Sequence, residues 1–148
     1  MKTRDEPIIQ QVASNCADKL GVVCPKINFS KNKKTEGNLA TLVLNENRNP
    51  EEIIVSENYV VIYDVLFDVC HELRHVWQTY NQPEMFNSYV EIGNIDLEEY
   101  NLQPAEIDAN AFAAVCMEEW FGVKPMFEGY SDVVKKKIWG RVREIGER

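Results

Sequence analysis

The chain has 148 residues, a net charge of −8 and 27% charged residues. This length suits one domain, which we expect to span residues 1–148, and a chain of this size can bury a core without disulfide bonds. The acidic balance disfavours a nucleic-acid partner, because phosphate contacts need a clustered positive surface. The apolar and charged fractions exclude a fibrous or disordered protein.

The first half of the chain predicts a helix followed by a small sheet. Residues 6–20 show apolar positions at helical spacing and end at Gly21. A strand is predicted over 26–30, which alternates between apolar and polar residues and follows Pro25. Two further strands are predicted over the β-rich runs 39–45 and 52–56. The polar runs KNKKTEGN, which contains Gly37, and NENRNP are expected to be turns.

The second half predicts three longer helices. Residues 59–80 are apolar on most sides, which is typical of a buried helix, and Ser56 or Asn58 is the expected cap. Residues 84–103 are mixed and are expected to form a surface excursion with a short helix. Further helices are predicted over 104–121 and 131–145. The overall prediction is a small α+β domain with a three-stranded sheet packed on the buried helix.

The last predicted helix carries a basic cluster, and the cysteines are scattered. We interpret the cluster as a solvated helix face, since cations favour a helix C-terminus; its members are Lys135, Lys136, Lys137, Arg141 and Arg143. The cysteines contain no close C-x-x-C pair, which favours reduced and buried thiols, with disulfides or cysteine zinc ligands as the alternative. They are Cys16, Cys24, Cys70 and Cys116.

The start of the chain and its hydropathy bear on localisation. The segment MKTRDEPIIQ is charged where a secretory signal would be apolar. No run approaches the ~18 apolar residues of a membrane span. We therefore expect a cytoplasmic protein that does not associate with a membrane.

The segment HELRH, residues 71–75, lies inside the predicted buried helix and holds the only two histidines of the chain. Histidines four residues apart share one helix face, so both imidazoles can bind one ion. Glu72 lies about 100° around the helix from His71, where it can act as a general base toward metal-activated water. The alternative is a hydrogen-bonded pair of core histidines, with Glu72 in a salt bridge to Arg74 or another cation.

A third ligand must be a carboxylate or a thiolate, because no third histidine exists. Glu106, in the segment PAEIDANAFA, is the favoured candidate. Small residues on one side of its helix, Ala105, Ala109 and Ala113, let that helix approach the histidines closely. A first-turn carboxylate also stabilises the helix dipole without any metal, and that reading of Glu106 stays open.

Other possible ligands are weaker on position. Asp108 is the main rival of Glu106, and Glu98 and Glu99 follow it. Cys70 adjoins His71 but is expected to point about 100° away from the histidine face. It is therefore a poor ligand.

The order HELRH and then ExxxNxFA resembles the gluzincin metallopeptidases, and it is most similar to the minimal ImmA/IrrE family. The likeness spans roughly residues 59–121. It implies a zincin-like domain with one Zn²⁺ bound by His71, His75 and Glu106. It also implies that Glu72 is the general base and that Asn110, where gluzincins usually have aspartate, orients a ligand histidine from the second layer of contacts. We place Asp108 in that second layer if it is not itself a ligand.

The resemblance also predicts a reaction and a substrate. The strand near 39–45 is expected to edge the cleft and to pair with an extended peptide. The predicted function is hydrolysis of a peptide or protein by zinc-activated water, with Tyr89, Tyr100 or Tyr130 as oxyanion donor and Arg74 as a weaker candidate. One alternative is a zincin-fold module that binds zinc and serves in interaction or regulation without turnover. The other is a structural domain without zinc.

Overall fold

The computed structural model describes residues 5–31, 38–90 and 94–146, which form six helices and a three-stranded mixed sheet. The α+β class is therefore as predicted. The helices are α1 (Glu6–Leu20), α2 (Ile62–Asn81), α3 (Pro83–Asn87), α4 (Leu97–Leu102), α5 (Pro104–Phe121) and α6 (Asp132–Gly146). The strands are β1 (Lys26–Ser30), β2 (Ala40–Leu44) and β3 (Pro50–Ser56). Residues 32–37 of the predicted turn, with Gly37, lie outside the described ranges.

Strand β3 is the centre of the sheet. It runs parallel to β1 and antiparallel to β2, and its second half is buried. It begins at Pro50, two residues before the predicted start, beside a register shift between Val43 and Leu44 of β2. Proline is tolerated at the first residue of a strand and at such irregularities, because it has no N–H to donate. Strand β2 is left at one edge of the sheet, next to α2.

Helix α2 is the central element, since it contacts α1, α3, α5 and both β2 and β3. It begins at Ile62, three residues later than predicted, because Val61 is extended with φ −112° and ψ 125°. The predicted caps are wrong: no side chain caps α2, and the Ser56 hydroxyl instead accepts the N–H of Asn58 in the preceding turn. The middle of α2 is buried as expected.

Helix α5 packs along α2, and α6 covers another side of α5. Ala105, Ala109 and Ala113 are all buried, which is consistent with the close approach expected of this helix. A second apolar cluster joins α5 to α6 and contains Ala111, Ala114, Phe127, Val134 and Ile138. The mixed segment before α5 forms two short helices, α3 and α4, where one was expected. The first turn of α5 lies against the second half of α2.

The basic cluster on α6 is only partly a solvated face. Lys136, Lys137 and Arg143 are exposed, as predicted. Arg141 instead points inward, and its Nη2 lies 2.8 Å from Oδ1 of Asp108. Throughout the described ranges, no helix is both long and apolar enough to cross a membrane.

Candidate metal centre

Two helices bring three metal-binding side chains to one point. His71 and His75 lie one turn apart on α2, and their ring centroids are 4.8 Å apart. Glu106 extends from the first turn of α5, with Oε2 2.8 Å from Nε2 of His75 and Oε1 3.4 Å from Nε2 of His71. One ligand atom of each residue lies within 4.8 Å of the others. The structure thus brings together the three residues selected from the sequence, and the arrangement can hold a metal ion.

The atoms that face one another in this group carry lone pairs. The two Nε2 atoms of His71 and His75 are 3.1 Å apart. Oε2 of Glu106 is buried and accepts no hydrogen bond of good geometry from any described residue, although Nε2 of His75 is 2.8 Å away. A buried polar atom without a partner is unfavourable. A cation between the three side chains satisfies all of these atoms at once, so the residues present fit a metal.

The Nδ1 atom of each histidine faces an amide oxygen. Nδ1 of His71 is 2.7 Å from Oδ1 of Asn110, and Nδ1 of His75 is 2.7 Å from Oε1 of Gln78. An amide oxygen only accepts hydrogen bonds, so each imidazole donates from Nδ1. In the neutral imidazole, which is the form that binds a metal, the lone pair then sits on Nε2 and is directed into the group of three. Asn110 thus makes the histidine contact that the resemblance implies.

Gln78 is a site residue that the sequence analysis missed. Its Nε2 donates to the carbonyl of Ala105 at 3.0 Å and to Oδ2 of Asp108 at 2.9 Å. Those two acceptors fix the orientation of the amide, so its oxygen must face His75. The available signal was its position: a glutamine three residues after His75, on an otherwise apolar helix, needs partners once it is buried.

The rival carboxylates lie elsewhere. Asp108 is bound by two arginines, with Oδ2 2.7 Å from Nε of Arg74 and Oδ1 2.8 Å from Nη2 of Arg141. Glu98 and Glu99 are exposed in the first turn of α4. Asp108 is therefore no rival to Glu106 as a ligand. It is linked to His75 through Gln78, whose amide donates to Oδ2 of Asp108.

Arg74 is occupied by this ion pair and is not available to a substrate. Its guanidinium is buried, and its Cζ lies 3.7 Å from the centroid of the Trp77 ring. The alternative in which Glu72 pairs with Arg74 is not what the structure shows, because Arg74 pairs with Asp108.

The electrostatic field at the centre favours a cation. Burial disfavours a protonated His71, but the negative charge of Glu106 and a hydrogen bond to it, with the charges of Glu72 and Asp68, together outweigh burial and raise the pKa of His71 to about 10. Burial likewise opposes ionisation of Glu106, yet the two histidines hold the pKa of that carboxyl well below its usual range. A metal ion competes with protons for the same nitrogen lone pairs. The field that retains a proton there therefore also attracts a metal ion.

The three candidate ligands, His71, His75 and Glu106, line a cleft of about 610 Å³. Glu72 also lines it, and burial raises the pKa of Glu72 although both histidines lower it. Thr41, Leu42 and Leu44 of β2 form part of the wall. The edge strand thus borders the same space as the candidate ligands, where the resemblance places it.

The three candidate oxyanion donors line the cleft and are half-buried. The hydroxyls of Tyr89 and Tyr100 are hydrogen-bonded to each other. Burial, followed by the negative charge of Glu106, raises the pKa values of Tyr100 and Tyr130. Both phenols consequently stay protonated at neutral pH and can donate.

Compared with known proteins, the chain matches no family model, no curated protein and no solved structure. Its geometry therefore carries the functional argument.

Proposed function

We propose that this protein is a zinc-dependent peptidase with a gluzincin-type site on a zincin-like fold. The observation that carries the proposal is the convergence of His71, His75 and Glu106 beside Glu72, on the wall of an open cleft. This arrangement supports a role in hydrolysis. Two imidazoles and a carboxylate bind the ion, and a second carboxylate lies alongside without being needed as a ligand.

The donor set favours zinc over calcium and magnesium. Two imidazole nitrogens and one carboxylate form the three-ligand set of many catalytic zinc sites, with a further position left for water or substrate. Calcium and magnesium prefer oxygen donors throughout. When bound, zinc would supply a Lewis acid that polarises a peptide carbonyl and lowers the pKa of water toward ~7.

The chain's own residues supply the proton transfers. Glu72 lines the same cleft as the three candidate ligands, and its carboxyl interacts electrostatically with both histidines and with Glu106. There it accepts a proton from the attacking water and delivers that proton to the departing amine. Tyr100 is the favoured oxyanion donor because its phenol lines the cleft. Burial and the negative charges of Glu106 and Glu72 raise its pKa, so the phenol keeps the proton that it would donate.

The substrate is a peptide or protein segment in extended conformation. Strand β2 is paired with β3 on one side and borders the cleft at Thr41, Leu42 and Leu44. An extended peptide laid along such an edge gains backbone hydrogen bonds and passes the ligand histidines. No nucleic-acid role is proposed, in keeping with the net charge of −8.

The test combines metal analysis with a peptide-library screen of wild type and Glu72→Gln. We expect about one zinc per chain in both proteins. We expect the substitution to lower kcat/KM by about 10²–10⁴-fold, because it removes a general base and leaves the ligands in place. Glu118→Gln makes the same chemical change on an exposed position of α5 and should leave both readouts unchanged.

Three outcomes would count against the proposal. Absence of zinc would remove every zinc-based function. Cleavage that is equal in wild type and Glu72→Gln would refute Glu72 as the base. Stoichiometric zinc without cleavage of any library peptide would favour the alternative, a zincin-fold module for interaction or regulation.

A further inference from the structure

Three of the four cysteines meet in the core on the far side of α2. Cys16 of α1, Cys70 of α2 and Cys116 of α5 are each 0% exposed. Their sulfur atoms all lie within 4.8 Å of one another. We name these residues the trithiol cluster. The sequence analysis predicted buried thiols, but nothing in the spacing of residues 16, 70 and 116 revealed that they meet.

The spacing of the sulfurs suits a shared metal ion. Sulfur ligands lie about 2.3 Å from a zinc ion, and three such ligands around one ion are about 4 Å from one another. The sulfur–sulfur distances in the trithiol cluster are close to this value, at no more than 4.8 Å, with the three helices packed as they are. No large rearrangement of the core is needed for the three sulfurs to bind the same ion.

The surroundings select the kind of ion. The trithiol cluster is closed to solvent, so water cannot complete a coordination shell. Within the described ranges, no further His, Cys, Asp or Glu side chain joins the group. Zinc in closed structural sites takes four ligands, whereas Cu(I) is a soft ion that prefers sulfur and is satisfied by two or three sulfur ligands.

Cysteine binds metals as the thiolate, so an ion that binds to the trithiol cluster displaces at least one thiol proton. A monovalent ion that displaces one proton adds no net charge to the apolar core, where an uncompensated charge is very costly.

We propose that the trithiol cluster is a second metal site, separate from the histidine centre, that binds one soft monovalent ion of the Cu(I) type. The bound ion joins α1 to the α2–α5 pair that carries the histidine centre. The histidines and Cys70 are neighbours in sequence but lie on different sides of α2, because Cys70 belongs to the main apolar core. The proposal does not depend on peptidase activity.

The test is a Cu(I) titration of the full chain, without oxygen, against a chromogenic Cu(I) chelator. The protein is first incubated with zinc, so that the histidine centre is filled. We expect wild type to take up about one Cu(I) per chain, with sulfur as the only ligand type in the copper X-ray absorption spectrum. Cys16→Val, Cys70→Val and Cys116→Val should each weaken binding by at least about 10-fold.

Cys24→Val is the matched control. Cys24 is half-buried, and its thiol donates to the carbonyl of Pro25 at 3.4 Å, apart from the trithiol cluster. This variant should bind Cu(I) as wild type does. Circular dichroism identifies the variants that fold, and three single substitutions give three independent chances of a folded comparison. Cu(I) should also raise the melting temperature of wild type and Cys24→Val, but not that of the cluster variants.

The proposal is overturned if wild type fails to compete with the chelator, or if folded cluster variants bind Cu(I) as tightly as wild type. Nitrogen ligands in the absorption spectrum would also overturn it, because they would assign the copper to the histidine centre. A negative result leaves the zinc proposal intact, since no cysteine is a ligand there.

Discussion

His71 and His75 each donate an Nδ1 hydrogen bond to a side-chain amide oxygen at 2.7 Å. The two amides differ in their further contacts. The amide that faces His71 belongs to Asn110, which is 2% exposed and lines the cleft. Behind His75 stands Gln78, which is fully buried and is held by Asp108. Asp108 in turn binds Arg74 of α2 and Arg141 of α6.

Because of this difference, substitutions on the two sides are expected to affect metal affinity and the free energy of unfolding to different extents. On the His75 side, the hydrogen bonds that orient the imidazole continue into buried ion pairs that join three helices. A change there is expected to lower both metal affinity and the free energy of unfolding. On the His71 side, the orienting amide is also buried, but no ion pair among the described residues is linked to it. A change there is therefore expected to lower mainly the affinity for the metal.

The largest effect is expected for Asp108→Asn. The substitution removes the charge that both arginines face and leaves Arg74, which is 5% exposed, buried without its ion-pair partner. Breaking a buried pair in this way costs about 3–5 kcal/mol. Urea unfolding of the metal-free protein measures this loss of stability directly.

Glu144→Gln is the control for that experiment. Glu144 also pairs with Arg141, at 3.0 Å, but its side chain is 66% exposed. Exposed pairs contribute about 0–1 kcal/mol, so the control should unfold nearly as wild type does. If Asp108→Asn unfolded like the control, the ion pairs of Asp108 would not contribute to the free energy of unfolding as proposed.

An intermediate effect is expected for Gln78→Met. Methionine fills a similar volume but offers no amide oxygen to Nδ1 of His75 and no donor to Asp108. Loss of a partner that orients a ligand histidine typically lowers metal affinity by about 10–100-fold. Competition with a zinc chelator measures the change, and Gln10→Met, on an exposed position of α1, is the control. Unchanged zinc affinity in a folded Gln78→Met protein would show that the histidine needs no such partner.

Much of this architecture was predictable from the sequence. Helical spacing of apolar residues before Gly21 placed α1 correctly, and Pro104 and Gly122 placed the ends of α5. Helix α6 was placed to within one residue at each end. The HELRH motif selected His71, Glu72 and His75, since residues four apart must share a face. The start of α2 was missed because Val60 and Val61 are apolar yet lie exposed before the helix.

Other features arise only from tertiary packing. A glutamine such as Gln78 has no metal signature, and its role depends on Asp108 arriving from α5. Arg141 was assigned to a solvated face because the charge pattern of α6 does not show which cation meets Asp108. The trithiol cluster likewise depends on how three helices pack, which the spacing of cysteines along the chain does not encode.

The smallest effect is expected for Asn110→Asp, which tests the His71 side by itself. Aspartate keeps an oxygen where Oδ1 of Asn110 accepts from Nδ1 of His71, so the orientation of the imidazole is retained. The added charge makes the imidazole a more basic ligand, and zinc affinity should rise by less than about 10-fold. The same chelator competition measures it, and Asn110→Leu, which removes the acceptor, should instead weaken zinc binding. If aspartate weakened binding as leucine does, neutrality at residue 110 would matter more than the hydrogen bond, because a carboxylate beside Glu106 and Glu72 adds repulsion that only a bound cation offsets.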